Sequence, residues 1–439
     1  MSLRSSEPQV LSPETRWNRR GRAVFARVWE PVAPRVHGLG VARARPRMTR
    51  LTGVRKFGGV ILWVGWVGGV LGAAEAVGEE PAGVSARRVR VERVVRTLAS
   101  AEFGGRRGPA AARTAAWLVR RFEELGLQPL FGTAYEQPFG RREGGPEVGR
   151  NVGGWLEGAD PQRRDEWVLV AAHFDHLGVQ GGVLFPGADD NASGVAMLLE
   201  LAGSFSYGDR PRRSVAFVAF DREEDGLWGS RFFVEHPPRP LERMRLMVVA
   251  DMLGRSLGEV CTEHLFVVGS ESVPGLRPWI RESAEGLPIR AGLIGSDLLL
   301  VDRSDYGPFR RRQLPYLFFT TGESPAYHTP EDRAETIDYG KLEAACTLIE
   351  RVTRRAADSD EVPGWVEPPE HGLEEAEVVR DVLRRLLERG DAIGLRPLQR
   401  IWLEAQIRDL EAAMERGGLT AEERQRMVTN AQLVLYTIL

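Results

Sequence analysis

The sequence predicts an α/β fold, a three-layer sandwich in which helices cover both faces of a mostly parallel central sheet, followed by a helical C-terminal extension. Three observations carry this. Four apolar runs, at residues 167–172, 215–220, 246–250 and 314–319, are nearly unbroken, the pattern of strands buried on both faces. Helical segments at 192–205, 228–235 and 339–355 alternate with them, as parallel crossovers require. Each run is followed by a polar cluster. In open parallel sheets ligands bind beyond the carboxyl ends of strands, so these clusters are expected to converge on one edge.

Residues 1–56 hold 13 Arg or Lys against three acids, with scattered Pro and Gly and no apolar period, a composition that buries no core. Residues 57–72 then supply 16 uncharged, mostly apolar positions behind Arg55-Lys56, and an Ala-x-Ala exit ends at Ala76. This is the pattern of a secretory signal, with a retained anchor as the structural alternative. Translation is expected to begin at Met48, seven residues before the basic pair. Residues 1–76 therefore form a basic leader and signal peptide or anchor, and any membrane contact is expected only through this segment if it is not cleaved.

From 85 to 126 apolar residues recur at helical spacing on both sides of the turn GGRRGP. The strands and helices named above follow, and the unit they form is expected over 77–360. Past Asp358 the run VPGWVEPP reads as a linker. Residues 373–439 are charge-laced and helical, with helices expected at 373–389, 398–416 and 421–437 and Thr420 as a cap. No acid or imidazole cluster with a catalytic signature occurs there. Packing or oligomerisation is the role expected of 361–439.

A formal net charge of -2 argues against a nucleic-acid partner held by bulk charge. Cys261 and Cys346 are the only two cysteines, neither sits beside a base, and both read as small buried hydrophobes. A thiolate zinc framework is thereby excluded.

The chemistry gathers around Gly187–Gly194, GADDNASG, where two acids stand in a loop that enters an apolar helix. Alone, this is as well explained by a capped helix. With His173 after the first strand, Glu223-Glu224 after the second, Asp251 after the third and His328 after the fourth, surface charge becomes a poor explanation. A hydrolytic two-metal site needs a shared carboxylate, further ligands for each ion, and a free carboxylate to move a proton. A His and carboxylate mixture without thiolates suits zinc. Neighbouring side chains diverge, so one of the adjacent pair Glu223-Glu224 can bind a metal while the other addresses water.

The motifs AAHFDHLG, PGADDNASG, DREEDGLWGS, ADMLGR and AYHTPED resemble those of the secreted two-zinc aminopeptidases, metallopeptidase family twenty-eight, whose members include glutamate carboxypeptidases and glutaminyl cyclases. The resemblance covers about residues 85–355. It implies a zinc-exopeptidase fold, two Zn2+ ions and peptide substrates with a free N-terminus. Carried over residue by residue, it makes Asp190 the bridging carboxylate, His173 and Asp251 ligands of one metal, and Glu224 and His328 ligands of the other. Glu223 becomes the general base, and Asp175 the acid that orients His173. Asp189 is then a neighbour of the ligands. His176 receives no role. Where relatives carry Ser-Asp-His, this chain has Ser304-Asp305-Tyr306, and Tyr306 could either donate a hydrogen bond to substrate or simply pack.

Two rivals stand beside the aminopeptidase reading. A glutaminyl-cyclase-type acyltransferase would use one metal, and a non-catalytic interaction domain of this fold would have lost ligands. All five ligand positions are filled here. Side-chain preference is expected to be set by loops at 177–186 and 294–303.

Overall fold

Eleven strands and ten helices are described in a computed structural model over residues 85–142, 144–299 and 302–438. The strands are β1 (Gln128–Pro129), β2 (Glu136–Gly140), β3 (Glu147–Leu156), β4 (Trp167–His173), β5 (Gly178–Gln180), β6 (Val183–Phe185), β7 (Ser214–Phe220), β8 (Met244–Ala250), β9 (His264–Val268), β10 (Arg290–Ile294) and β11 (Tyr316–Thr320). The helices are α1 (Ala86–Leu98), α2 (Pro109–Glu124), α3 (Gly194–Tyr207), α4 (Trp228–Glu235), α5 (Arg277–Ala284), α6 (Tyr306–Arg310), α7 (Tyr339–Asp358), α8 (Leu373–Glu388), α9 (Pro397–Glu415) and α10 (Ala421–Thr437). The described residues form one compact unit. The basic leader, Met48 and the signal segment lie outside the described residues, among which no helix is long and apolar enough to cross a membrane.

The main sheet runs in the order β1-β3-β7-β4-β8-β11-β9-β10, with β2 also paired to β3. Its centre, β7-β4-β8-β11, is parallel throughout. The four strands expected from the sequence are these four. Antiparallel pairs join β3 to β7 and β9 to β11, so the flanks reverse direction while the middle does not. The last expected strand starts two residues later than its apolar run. Leu314 is tied by its N–H to Phe309 instead, and Pro315 offers only its carbonyl, to Met247.

Period-two alternation sorts the two faces. On β4, Val168, Val170 and Ala172 join a core with residues of α1, α3, α5 and α7. Trp167, Leu169 and Ala171 face the other way, toward Phe233 of α4, Phe309 of α6 and the C-terminal helices. All six are fully buried, which explains why the run reads as continuously apolar.

The C-terminal helices match the expected spans to within about one residue, and Thr420 caps α10 in a reciprocal pair with Glu423. They complete the second helical layer: Ala376, Val379 and Leu383 of α8, Leu403 of α9 and Val434 of α10 share one core with Phe266 and Phe318 of the sheet.

Candidate metal centre

Asp190 lies in the segment Ala188–Ser193 between β6 and α3, where Asp190 and Asn191 leave helical geometry. Several groups fix this segment. The Asp332 carboxylate accepts the N–H of Asp189 at 2.9 and 3.1 Å and that of Asp190 at 3.1 Å. Asn191 accepts the Gly194 N–H at 2.9 Å and donates to the Ala250 carbonyl at the end of β8 at 3.0 Å. Arg106, fully buried, donates to the carbonyls of Leu98, Phe174, Pro186, Gly187 and Asp190 at 2.7 to 3.1 Å. Gly187 has φ 60, and a Cβ there would stand 2.2 Å from the Asp190 carbonyl and 2.5 Å from the His176 ring, so no other residue fits.

The two oxygens of Asp190 face different partners. Oδ1 is 3.4 Å from His173 Nε2, which is 3.2 Å from Asp251 Oδ1. Oδ2 is 3.1 Å from His328 Nε2 and 3.6 Å from His176 Nδ1. Glu224 closes this second group, with Oε2 3.0 Å from His328 Nε2 and Oε1 2.9 Å from His176 Nδ1. Two clusters of nitrogen and oxygen donors therefore share one carboxylate. The strand ends produce this: His173 is the last residue of β4, Asp251 follows β8, the Glu pair follows β7 and His328 follows β11.

Burial perturbs several of these charges. It raises Glu223 well above the ordinary glutamate range, with the carboxylates of Asp251, Asp305 and Glu224 adding to the effect and His173 opposing it. Burial alone would lower His328, but the Asp190 and Glu224 carboxylates outweigh it and bring that imidazole up to about 10. His173 is raised in the same manner, chiefly by Asp251 against its burial. His176 goes the other way, to about 3, because burial dominates. Asp251 is drawn down despite its burial, by His173 and by the Ser304 hydroxyl that donates to its Oδ2 at 3.0 Å.

The donor set fits a divalent cation. Two groups of ligand atoms, His173 with Asp190 and Asp251 and His176 with Asp190 and Glu224, each lie within 4.8 Å of one another, and they are the groups found among the described residues. The Nε2 of His328 is buried without a hydrogen-bond partner although Asp190 Oδ2 and Glu224 Oε2 stand 3.1 and 3.0 Å away, so an ion held among these atoms would give it one. Imidazole and carboxylate without thiolate is a zinc set.

The structure brings together all five residues expected as ligands, and Glu223 lines the same cavity as Asp190 and Asp251. Asp175 Oδ1 is 3.6 Å from His173 Nδ1, an ion-pair separation. Asp189 turns away, its Oδ1 accepting the Gly254 N–H at 2.7 Å. Tyr306 is not brought to the site. It is fully buried, stacked between Tyr316 and Phe318 at centroid distances of 5.1 and 4.9 Å, and its hydroxyl accepts the Arg303 N–H. Of the two roles open to Tyr306, packing is the one its surroundings support, and the contact with substrate is not. Cys261 and Cys346 are buried and unpaired, as small hydrophobes.

The sequence reading missed His176, Arg106 and Asp332. His176 was visible as the last residue of HFDH, but nothing in its spacing told that its ring would lie against Glu224. Arg106 looked like one more charge in a turn.

Residues 151–353 match the description Peptidase family M28. Aminopeptidase YwaD of Bacillus subtilis (strain 168) is 29% identical over 203 residues, 45% of this chain and 42% of that protein. A probable zinc metalloprotease of Pyrenophora teres f. teres is 31% identical over 194 residues, 39% of this chain and 40% of the other. A glutaminyl-peptide cyclotransferase of Drosophila melanogaster is 26% identical over 212 residues, covering 42% and 60%. The chain spans about two fifths of the length of the first two relatives. Among solved structures, the Legionella pneumophila LapA aminopeptidase, 19% identical, aligns over 62% of this chain and 73% of its own with a TM-score of 0.50, a likeness of fold.

Proposed function

We propose, from the premise that this chain carries a peptidase family M28 domain over residues 151–353, that it is a zinc-dependent exopeptidase that removes N-terminal residues from peptides. The observation that carries this is the shared Asp190, whose two carboxylate oxygens face two separate donor groups at 3.1 and 3.4 Å. His173 and Asp251 would hold one Zn2+, Glu224 and His328 the other, and Asp190 both. Zinc, when bound, supplies a Lewis acid that polarises the scissile carbonyl and eases ionisation of the attacking water. Glu223 takes the proton of that water as it attacks the carbonyl carbon, and passes it to the leaving amine as the C–N bond breaks. Its burial suits the task, because a carboxylate raised toward neutrality both accepts and returns a proton. Asp175 holds the His173 ring and, through the Glu223 N–H, the backbone that presents the base.

Residues 77–360 act as the catalytic unit, 361–439 as an attached extension, and the 57–76 pattern directs export. The cyclotransferase relative makes an acyltransferase the second reading, and the sharing of Asp190 by two donor groups favours hydrolysis over it. Zinc-loaded protein assayed on aminoacyl amides with free and blocked N-termini tests the proposal. Release of amine from the free substrates alone is expected. Cyclisation of N-terminal glutamine without any amide hydrolysis would replace this reading by its rival.

A further inference from the structure

A cavity of about 240 Å³ reaches the metal centre, with Asp190, Glu223 and Asp251 among its lining residues. Thr320, Glu323, Ser324 and Arg303 add further polar groups to its lining, and most of the remainder is apolar. The sheet contributes Phe266 of β9 and Phe318 of β11, and the turn after β10 contributes Leu298. The rest comes from the C-terminal extension: Val378 and Val382 of α8, and Val434 and Leu435 of α10. Val378 and Val382 are four residues apart and so share one helical face, while Val434 and Leu435 lie on the α10 face that also presents Ala431. Val378, Val382 and Leu435 are only half-buried, although each lines this cavity.

The extension is fastened where it meets the cavity. Glu375 of α8 accepts the Gly295 N–H at 2.8 Å. Arg424 of α10 pairs with Glu375 and Asp297 through bonds of 2.8 to 2.9 Å. Gln432 donates to the Asp297 carbonyl at 2.7 Å. Gly292 lets α8 come close to the sheet: a Cβ there would stand 3.3 Å from Val378. A wall tied by Glu375, Arg424 and Gln432 to the loop beside the site holds its shape, which a selective pocket requires.

We propose that the C-terminal extension is a specificity element, which closes an apolar pocket beside the metal centre so that Val378, Val382, Val434 and Leu435 set the size of the apolar side chain accepted next to the scissile bond. The inference rests on the exopeptidase reading above. The volume defines the substrate class. An apolar cavity of about 150 Å³ accommodates a benzene ring, so this larger one takes a Leu, Phe or still bulkier side chain on the residue that carries the free amine. Small or charged N-terminal residues leave it unfilled or bury a charge, and lose binding accordingly.

The test uses the full zinc-loaded chain and a series of aminoacyl amides with Ala, Leu, Phe and 2-naphthylalanine at the N-terminus. For the native protein kcat/KM is expected to rise from Ala to Phe by about 10-fold or more, mainly through KM. In Val382→Trp and Leu435→Trp the Phe-to-Ala ratio should fall by at least about 10-fold, with zinc content retained. Leu435→Ala, which removes wall without crowding, should shift preference toward 2-naphthylalanine, and so serves if a Trp variant does not fold. Leu398→Ser, on the exposed face of α9, should leave the ratio as in the native protein. Cleavage of Ala amides as good as that of Phe amides, or wall variants that slow every substrate equally, would overturn the inference while leaving the peptidase reading intact. Failure of the native protein to cleave any amide would instead strike the reading on which the inference rests.

Discussion

Asp175 Oδ1 accepts the backbone N–H of Glu223 at 3.0 Å while standing 3.6 Å from His173 Nδ1, so one carboxylate oxygen links the proposed base to a proposed ligand. Asp175→Asn keeps an oxygen that can accept from Glu223 but removes the charge facing the imidazole. Zinc affinity is expected to fall by about 10- to 100-fold with the fold preserved. Competition with a chromophoric chelator measures it. Native affinity in this variant would show that Asp175 does not act through His173.

Glu223 and Glu224 are adjacent yet face different neighbours: Glu224 lies against His176 and His328, whereas Glu223 lines the cavity. Glu223→Gln is expected to lower kcat by about 10²- to 10⁴-fold with metal content unchanged. Glu224→Gln should lose part of the metal. Parallel metal analysis and turnover on both variants decide the assignment, and the opposite pattern would exchange the two roles.

Arg106 satisfies five carbonyls in the segments around the site and is itself fully buried. Arg106→Ala orphans those acceptors away from water. A stability loss of more than about 3 kcal/mol is expected, because each buried acceptor left unpaired costs about 1–3 kcal/mol. Denaturant titration of the zinc-free proteins reads it directly. A loss under about 1 kcal/mol would mean that the carbonyls find other donors.

Metal uptake should release protons. In the zinc-free site His328 is raised to about 10 and so carries its second proton at neutral pH, and His173 is raised in the same direction by Asp251. A metal ligand must be neutral. Zinc binding therefore displaces on the order of one proton per imidazole, and apparent affinity weakens as pH falls. Calorimetry in buffers of differing ionisation enthalpy counts the protons. No release at pH 7 would contradict the assignment of these two histidines.

Much of this was legible because burial on both faces writes itself as unbroken apolar runs, and β4, β7, β8 and β11 all carry that mark. His173, Asp251 and the Glu223-Glu224 pair were legible because each stands just beyond such a run, and Asp190 because GADDNASG enters an apolar helix. β3 was not, since EVGRNVGGWL spends its inward positions on glycine: a Cβ at Gly153 would meet Leu130 at 2.8 Å, and one at Gly154 would meet Leu127 at 2.9 Å. Close packing by neighbours replaces the apolar side chains a reader looks for. Nor could spacing reveal that α8 and α10 reach the site. Their lining residues lie more than a hundred positions beyond the GADDNASG loop, and only the tertiary fold brings them near Asp190. The cavity walls were expected from two loops. The one at 294–303 contributes through Ile294 and Leu298, while helices supply the opposite side.

The central claim is that Asp190 serves two metals at once, and zinc content per chain after dialysis tests it most directly. The native protein is expected to retain two ions and Asp189→Ala likewise, because Asp189 is turned toward Gly254. His173→Ala and His328→Ala should each keep one. Asp190→Ala, which removes the anion between two dications, should keep at most one, weakly held. Two ions retained in Asp190→Ala, or lost in Asp189→Ala alone, would contradict the account.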